Sequence, residues 1–361
     1  MCIRDSRWGG RLPAAETHRW DEAGFAVAHF ESEGVALPAP RPVVLRIGQA
    51  PRTSEAPELR WGIATAAGGG ARGDGWGDTH FARSLGTSLR TLGQDVVTHR
   101  RGAVSGPASR FDDVVLSLRG LEPVAAIPGK VNVLWVISHP DDVTAEDLVG
   151  FDLVYAASES WAAHMSEVSG RPVHPLLQAT DTRLRDVTSP IADDARPVFV
   201  GSTNPKRPRQ VVLDAVEAGV KLDVHGQGWA GTPAEQFWRS PYVANDQLMT
   251  LYRTHGIVIA DHWGDMAREG FLANRLFDAV ASGARVVSDK VPGLEVFEGA
   301  VQAYSSVEDL RTLCGPAGRD RFPSDQAMAA IADRVAAEHS FDKRAHQLLD
   351  AVAPIWAKKA R

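Results

Sequence analysis

Lys206, Arg207 and Arg209 all fall within Ser202–Gln210, STNPKRPRQ. The stretch follows the β-branched run PVFV. It precedes RQVVLDAVEAG, whose apolar positions repeat with helical spacing. Cations on a strand-to-helix turn lie beside the open amides of a helix N-terminus, and together they suit a phosphate. Arginine can hold one bidentately. A solvated basic turn explains each residue equally well. Arg207 is the first choice for an anion contact and Arg275 the second.

A second stretch, REGFLANRLFDAVASGARVVSD, runs from Arg268 to Asp289. Leu272, Leu276, Ala279 and Val280 form an apolar helical stripe, Gly283 ends it, and ARVVSD reads as a buried strand. Packing alone does not require Glu269, Gly270 and Phe271 at the start, or Asn274, Arg275 and Asp278 in the next turns. Glu269 beside a helix N-terminus would favour the dipole, an effect of about 0.3–1 kcal/mol. Just upstream, ADHWGDMAREGF follows the apolar run GIVIA, so His262 and Asp265 are candidates to meet a ligand or to form a surface turn. Gly226 and Gly228 follow KLDV; they would let a ligand approach the backbone, or serve the turn alone. In the first half, Gly77, Asp78 and His80 open a helix, with Asp78 either an N-cap or a contact. His139 stands before Pro140 at a strand end, where a near-neutral imidazole suits a general base or a ligand contact.

These side chains need elements to carry them. The chain opens without periodicity; residues to about 37 have room for a little structure, and LPAPRPVVLRIGQAPRTSEAPELR reads as a Pro-rich linker. From Leu59 strands and helices alternate. LRWGIAT, DVVTHR, DVVLSLR, NVLWVIS and DLVYAAS are short strands. Phe81, Leu85, Leu89 and Leu92 share one helical face, closed by Gly93. Ser158 caps another helix, on which Trp161, Met165 and Val168 share a face. RPVHPLLQATD then leads into a polar stretch, and the pattern restarts at PVFVGS. VKLDVHG, IVIA and ARVVSD are its later strands, and helices near 325–338 and 341–357 end the chain. Alternation of this kind builds parallel sheets with right-handed crossovers. Two such series predict two doubly wound domains facing a cleft, with ligands beyond the carboxyl ends of the strands.

The bulk numbers agree. A chain of 361 residues, 44% hydrophobic, can fill two cores. Its 39 basic and 45 acidic residues give a net charge of −6 with no basic block, which excludes an ordinary nucleic-acid binder. Cys2 and Cys314 make neither a disulfide framework nor a metal site, and they fit a reducing cytoplasm. The opening residues lack the apolar core of a signal peptide. Val133–Ile137, the longest apolar run near a strand, is far too short to span a membrane.

The second half resembles the donor-binding half of GT-B glycosyltransferases, above all those related to the spore-maturation (CgeB-type) enzymes. The similarity rests on Gly270, Asn274, Arg275, Phe277, Asp278, Ala281, Gly283 and ARVVSD, on VFVGSTNPKRPRQVV, and on LDVHGQGWAG. The first half, from LRWGIATAAGGG to VNVLWVISHPDD, resembles the acceptor domain. The match runs over roughly residues 58–350. The chain departs from the Glu-x7-Glu pattern of the retaining group, since Glu269 and Asp278 stand one residue further apart and the second acid is Asp. Residues 1–57 more faintly resemble the end of an upstream module in fused proteins.

The resemblance implies four segments: 1–57, a tail and linker; 58–190, an acceptor-side domain; 191–340, a nucleotide-sugar domain; and 341–361, a helix crossing back to the first domain. It implies that His139, Asp78 or Glu269 takes part in the chemistry. Lys206, Arg207, Gly226, Gly228, His262, Gly270, Phe271, Asn274, Arg275 and Asp278 would hold the donor, Asp278 through the ribose. The donor would be a nucleoside diphosphate sugar, with no further cofactor. The acceptor would be a glycan, lipid or protein. No Asp-x-Asp pair exists in the sequence, so the diphosphate charge falls to cations and helix N-termini and no metal is expected. Cytoplasm is the expected location, with loose attachment to a membrane-borne acceptor left open.

Three other readings compete. GGGARG at 68–73 has the spacing of a dinucleotide fingerprint, and Arg100 and Arg101 would suit a 2′-phosphate. However, Asp74–Gly77 separates it from its helix, and no acid ends the second strand. A catalytically inactive sugar- or partner-binding protein of the same fold would keep the architecture without the transfer. A sugar-nucleotide epimerase would need acid-base groups on both faces of the sugar. There is no Gly-x4-Gly-Lys-Ser/Thr loop, His-Glu-x-x-His, Cys-x-x-Cys or Gly-x-Ser-x-Gly, which removes several common enzyme classes.

Overall fold

The computed structural model describes residues 57–69, 71–192 and 195–359, together with the backbone of two strands, β1 (Ala26–Glu31) and β2 (Arg41–Leu45). These two pair antiparallel, so the segment read as a linker contains a strand. Its Val43, Val44 and Leu45 carry the β-branched and apolar residues that favour a strand; the prolines around them had masked it. The rest of 1–56 lies outside the described residues.

The first parallel sheet is built from β3 (Arg60–Ala64), β4 (Asp95–His99), β5 (Val114–Arg119), β6 (Val131–Val136), β7 (Leu153–Ala156) and β8 (His174–Pro175). Their order is β4-β3-β5-β6-β7-β8. Between β3 and β4 run α1 (Ala71–Asp74) and α2 (Gly77–Thr91), and between β7 and β8 runs α3 (Glu159–Ser169). Phe81, Leu85 and Leu89 of α2 are buried as their spacing predicts. Ser158 caps α3, its Oγ accepting from Trp161 N at 3.2 Å. Val168 is the exception on that helix. It is 57% exposed, because a helix this short buries only the Trp161 and Met165 end of the stripe.

The second parallel sheet has β9 (Val198–Val200), β10 (Asp223–His225), β11 (Trp238–Ser240), β12 (Ile257–Ala260), β13 (Arg285–Ser288) and β14 (Val301–Ala303). Its order, β11-β10-β9-β12-β13-β14, is doubly wound and reverses direction between β9 and β12. The helices are α4 (Gln210–Glu217), α5 (Leu248–His255), α6 (Gly264–Glu269), α7 (Asn274–Ala281), α8 (Val307–Cys314), α9 (Asp325–Glu338) and α10 (Phe341–Lys359). Strand residues alternate between two buried faces. Val198, Val258 and Val286 pack with Leu276, Phe277 and Val280 of α7 and Met328, Ile331 and Val335 of α9. Phe199, Ile259 and Val287 pack with Val211, Val212 and Ala215 of α4 and Leu310 and Leu313 of α8. Edge strands β11 (WRS) and β14 (VQA) have a polar residue in the middle and no β-branched run like the VFV of β9, and the sequence did not reveal them.

Contacts divide the chain into two compact units. One comprises Met1–Trp135, Asp147–Leu153 and Ala345–Arg361; the other comprises Val136–Glu146 and Val154–Arg344. Most of α10 therefore belongs to the first unit, where Lys359 Nζ pairs with Asp152 Oδ2 at 2.8 Å. Among the described residues no helix is long and apolar enough to cross a membrane.

Candidate functional site

The reversal between β9 and β12 leaves room at the carboxyl ends of both strands. A cavity of about 450 Å³ opens there, and every residue lining it belongs to the second unit. One wall is the turn after β9 and the start of α4: Arg207, Pro208, Gln210 and Val211. A second is the turn after β12, Asp261–Asp265, joined by Asp289 after β13 and Tyr304 after β14. His139, Asp141 and Asp142 complete it.

No side chain caps α4, and its first two helical residues, Gln210 and Val211, face the cavity beside Arg207. Uncapped amides and a guanidinium therefore share one wall of the cavity, which suits an anion. Arg207 lies over the Trp263 ring, Cζ 4.7 Å from its centroid. Arg209 lies over the same ring at 4.3 Å, but its Nη1 is committed to Asp261 Oδ1 at 3.1 Å and its Nε to Ser202 O at 2.9 Å. Arg275 stacks on Phe199 at 5.1 Å and places Nη1 3.7 Å from the same Asp261 oxygen. Burial draws Arg209 below the usual guanidinium range, with Asp261 opposing and Arg275 and Arg207 reinforcing the effect. Of the three arginines only Arg207 is on the cavity wall; Arg209 and Arg275 stand behind it and neutralise Asp261. Arg275, the second choice for an anion contact, is thus a supporting cation, because the short first turn of α7 carries it toward β9. Lys206 is exposed and lies off the wall, with only its backbone N bonded, to Asn204 Oδ1.

His139 is buried at the cavity edge with a left-handed backbone, φ 55°. Its Nδ1 lies 2.9 Å from Ser138 Oγ and its ring 6.3 Å from that of Trp263. A non-glycine residue held in this region costs on the order of 1–3 kcal/mol, and such positions cluster at functional sites.

The Arg268–Asp289 stretch is reorganised relative to its sequence reading. It is two helices, α6 and α7, not one. Gly270, φ 74°, ends α6, and a Cβ there would lie 3.1–3.2 Å from Ser160 and Ser158 Oγ. Glu269 is therefore at a helix C-terminus, where a carboxylate is disfavoured by the dipole rather than favoured. Its side chain pairs with Arg268 at 2.9 Å, and Arg268 also bonds Asp141. Its carbonyl takes the Ser158 hydroxyl at 2.6 Å. Phe271 is 0% exposed and meets Trp161 edge-on at 5.6 Å, so it is core rather than a ligand contact. Asn274 gives Nδ2 to Asp278 Oδ2 at 2.9 Å, and its Oδ1 is buried without a partner. Asp278 accepts from Thr180 Oγ1 at 2.8 Å as well, and burial pushes its carboxyl up to about 7. Both oxygens are thus engaged inside the protein, away from the cavity wall.

Gly226 and Gly228 are explained by the protein's own backbone. A Cβ on Gly226 would lie 2.2 Å from Gly201 O, and one on Gly228 2.1 Å from Thr203 O. The β10 turn packs on the β9 turn and shapes it for Arg207. His262 also turns inward. Its ring, 0% exposed in the side chain, bonds Asp289 Oδ1 through Nδ1 at 2.6 Å and accepts the Ala273 amide at Nε2, 3.0 Å. Burial works to raise Asp289, but hydrogen bonds from His262 and Ser288 outweigh it and hold the carboxyl below its usual range.

Asp78 is in the first unit, in the first turn of α2; the N-cap is Trp76, not Asp78. Burial raises its carboxyl above the ordinary value. Gly73, at the end of the glycine loop before it, is held by the protein's own groups. Buried Arg100 bonds Gly73 O, Thr79 Oγ1 and Asp74 Oδ1, and Arg101 pairs with Glu122 at 3.2 Å. Arg100 is therefore closed to a 2′-phosphate, and exposed Arg101 is paired with a carboxylate. Cys314 is a free thiol, pushed up to about 12 by burial. Among the described residues no group of three or more His, Cys, Asp or Glu is placed to hold a metal ion.

The sequence placed the ADHWGD turn on the cleft without singling out Asp261 or Trp263, and it did not bring forward Gln210, Asp289 or Tyr304 as cavity residues. Asp261 and Asp289 directly follow the runs IVIA and RVVS, and position after a parallel strand was the available signal.

Residues 207–350 match the family model described as "Glycosyl transferase-like". No curated protein matches. Among solved structures, AviGT4, a glycosyltransferase involved in avilamycin A biosynthesis, superposes with a TM-score of 0.57 at 18% identity, covering 83% of this chain and 98% of that one. Sucrose-phosphate synthase from Thermosynechococcus elongatus gives 0.57 at 13%, covering 83% and 100%. The T4 phage enzyme BGT, in complex with its UDP-glucose substrate, gives 0.52 at 10%, covering 81% and 99%. At these identities the likeness is one of fold: two six-stranded parallel sheets with flanking helices, the GT-B architecture.

Proposed function

We propose that this chain is a glycosyltransferase that moves a sugar from a nucleoside diphosphate sugar to an acceptor hydroxyl, without a metal ion at the diphosphate. The observation that carries the reading is the uncapped N-terminus of α4 with Arg207 beside it, on a cavity at the topological switch point of the second sheet. Amides and a guanidinium fixed in place stabilise a departing diphosphate without reorganisation. The absence of any Asp-x-Asp pair in the sequence fits a cation- and amide-based site. The GT-B fold, with a neighbour that holds UDP-glucose, favours a nucleotide sugar over other anions as an analogy of fold.

In this reading His139 is the group on the cavity wall suited to take the acceptor proton or to bind the sugar. Glu269 and Asp78 are not on that wall. The transferred group is a hexose or a related sugar, the CgeB-type enzymes are the proposed nearest kin, and the cytoplasm is the proposed place of action.

The test is calorimetric titration with UDP-, GDP- and dTDP-sugars, with and without EDTA, for the parent protein and Arg207→Ala. The expected result is micromolar affinity that survives EDTA and falls in the variant. A folded parent protein that binds none of the three would instead favour the inactive sugar- or partner-binding reading.

A further inference from the structure

His262 stands out among the cavity residues because its imidazole is not offered to the cavity at all. Its two ring nitrogens bridge two separate segments of the chain. Nε2 accepts the N–H of Ala273, the N-cap residue of α7, at 3.0 Å. A backbone amide is only a donor, so Nε2 carries the lone pair and Nδ1 the proton. Nδ1 then donates to Asp289 Oδ1 at 2.6 Å. The backbone N–H of His262 donates to the other oxygen of Asp289 at 3.1 Å, and Ser288 Oγ supports Oδ1 at 3.0 Å. The turns after β12 and β13 and the start of α7 are thereby held by one imidazole–carboxylate pair.

α7 carries Arg275 in its first turn. That guanidinium reaches back over Phe199 to Asp261, the carboxylate that shares the cavity wall with Arg207. Asp261 would repel a diphosphate unless its charge is cancelled. Arg209 supplies one cation and Arg275 the other. The Phe199 ring and a hydrogen bond with the Tyr252 hydroxyl also hold the Arg275 side chain, but its Nη1 is buried with no hydrogen-bond partner, so its reach to Asp261 depends on where the start of α7 lies. We propose that His262, braced by Asp289, is a positioning residue: it fixes the N-terminus of α7 so that Arg275 neutralises Asp261 beside the donor diphosphate. The inference rests on the nucleotide-sugar reading of the same cavity, and it replaces direct sugar contact as the role of His262.

Glutamine separates the two roles. Its carbonyl can accept from Ala273 while its amide nitrogen donates to Asp289, but it has no ring. The experiment compares the parent protein, His262→Gln, His262→Ala and Asp289→Asn. Amide hydrogen exchange is measured over Ala273–Arg275 without ligand, and UDP is the probe in calorimetry. His262→Gln is expected to keep slow exchange at Ala273 and to bind UDP within about twofold of the parent. His262→Ala is expected to quicken exchange at Ala273 and Arg275 and to weaken UDP binding about tenfold or more, the scale of a misplaced site group. Asp289→Asn should fall between them. Should His262→Ala not fold, the glutamine variant decides alone: tight UDP binding with a protected Ala273 amide upholds the role. Weak UDP binding by His262→Gln with a protected Ala273 would overturn it, because the ring itself would then touch the ligand. Unchanged exchange and affinity in His262→Ala would overturn it too. A parent protein that binds no UDP would sink the functional reading along with the inference; a parent that binds UDP while the variants fail this pattern would sink the inference alone.

Discussion

Arg100 and Arg207 both follow a strand of a parallel sheet by a few residues, and both lie near a glycine-containing turn and a helix start. Their fates differ. Arg100 is buried, and its nitrogens are consumed by Gly73 O, Thr79 Oγ1 and Asp74. Arg207 faces a cavity, its guanidinium supported among the described residues by the Trp263 ring. The same contrast separates two histidines. His99, at the end of β4, is locked to Asp112 at 2.7 Å, and Asp112 also takes Arg60 Nε at 3.3 Å. His139 is on the cavity wall with a strained backbone. One region spends its polar groups on one another and on the Gly73 carbonyl, and the other leaves part of them facing a ligand-sized space. Residue type and distance from a strand do not tell the two apart; whether the neighbouring carbonyls and carboxylates reach the cation does.

The largest expected effect tests the histidine half of this contrast. Asn tolerates the left-handed backbone of His139 but cannot accept a proton in the same way. His139→Asn should therefore lower the turnover of sugar transfer by about 10²–10⁴-fold with donor affinity nearly unchanged. Steady-state kinetics beside calorimetry check this, and a parallel loss of affinity would make His139 a binding group instead.

Next come the glycines, for which the two regions should behave alike. A Cβ on Gly62 would lie 2.3 Å from Asp112 Oδ2, and one on Gly226 2.2 Å from Gly201 O. Gly62→Ala and Gly226→Ala should each destabilise by about 2–4 kcal/mol in denaturant unfolding, by overpacking and backbone strain. Gly226→Ala alone should also reduce donor binding, since it displaces the turn that leads to Arg207.

The arginines should then part company. Arg207→Ala is expected to weaken donor binding by about 10–100-fold, the scale of a lost charge-assisted hydrogen bond, while its melting temperature stays within about a degree or two. Arg100→Ala should do the reverse: intact affinity, and a stability loss of about 2–4 kcal/mol from the stranded Gly73 carbonyl and Asp74.

The smallest effect concerns Asp278. Its folded carboxyl titrates near 7, above the ordinary value of 3.8. The unfolded chain loses this proton first, so wild-type stability falls as pH rises from about 4 to 7 on account of this group. Asp278→Asn removes that slope, and the unpartnered Asn274 Oδ1 can accept the new amide after a flip. Thermal melts should show the variant matching the parent at pH 4 and gaining on it steadily toward pH 8. A constant difference across that range would contradict a buried, raised carboxyl.

The sequence by itself determined the class of the fold. Alternating apolar runs located nearly all the longer strands and helices, IVIA at 257–260 and the helix at 325–338 with their observed bounds, because burial on both sheet faces imposes runs and amphipathic helices impose stripes. It also brought Arg207, His139 and the ADHWGD turn forward as candidates, since chemistry at a parallel sheet collects after strand ends. Tertiary structure alone decided which candidates face the cavity. Asp278, His262 and Phe271 satisfy the same spacing rules but are used up by Thr180, Asp289 and Trp161, residues 27 to 110 positions away in the chain. Edge strands β11 and β14 and the break between α6 and α7 were likewise settled by the tertiary fold. A hydrogen bond or an edge-on ring contact needs two groups to meet in space, and only folding fixes that meeting.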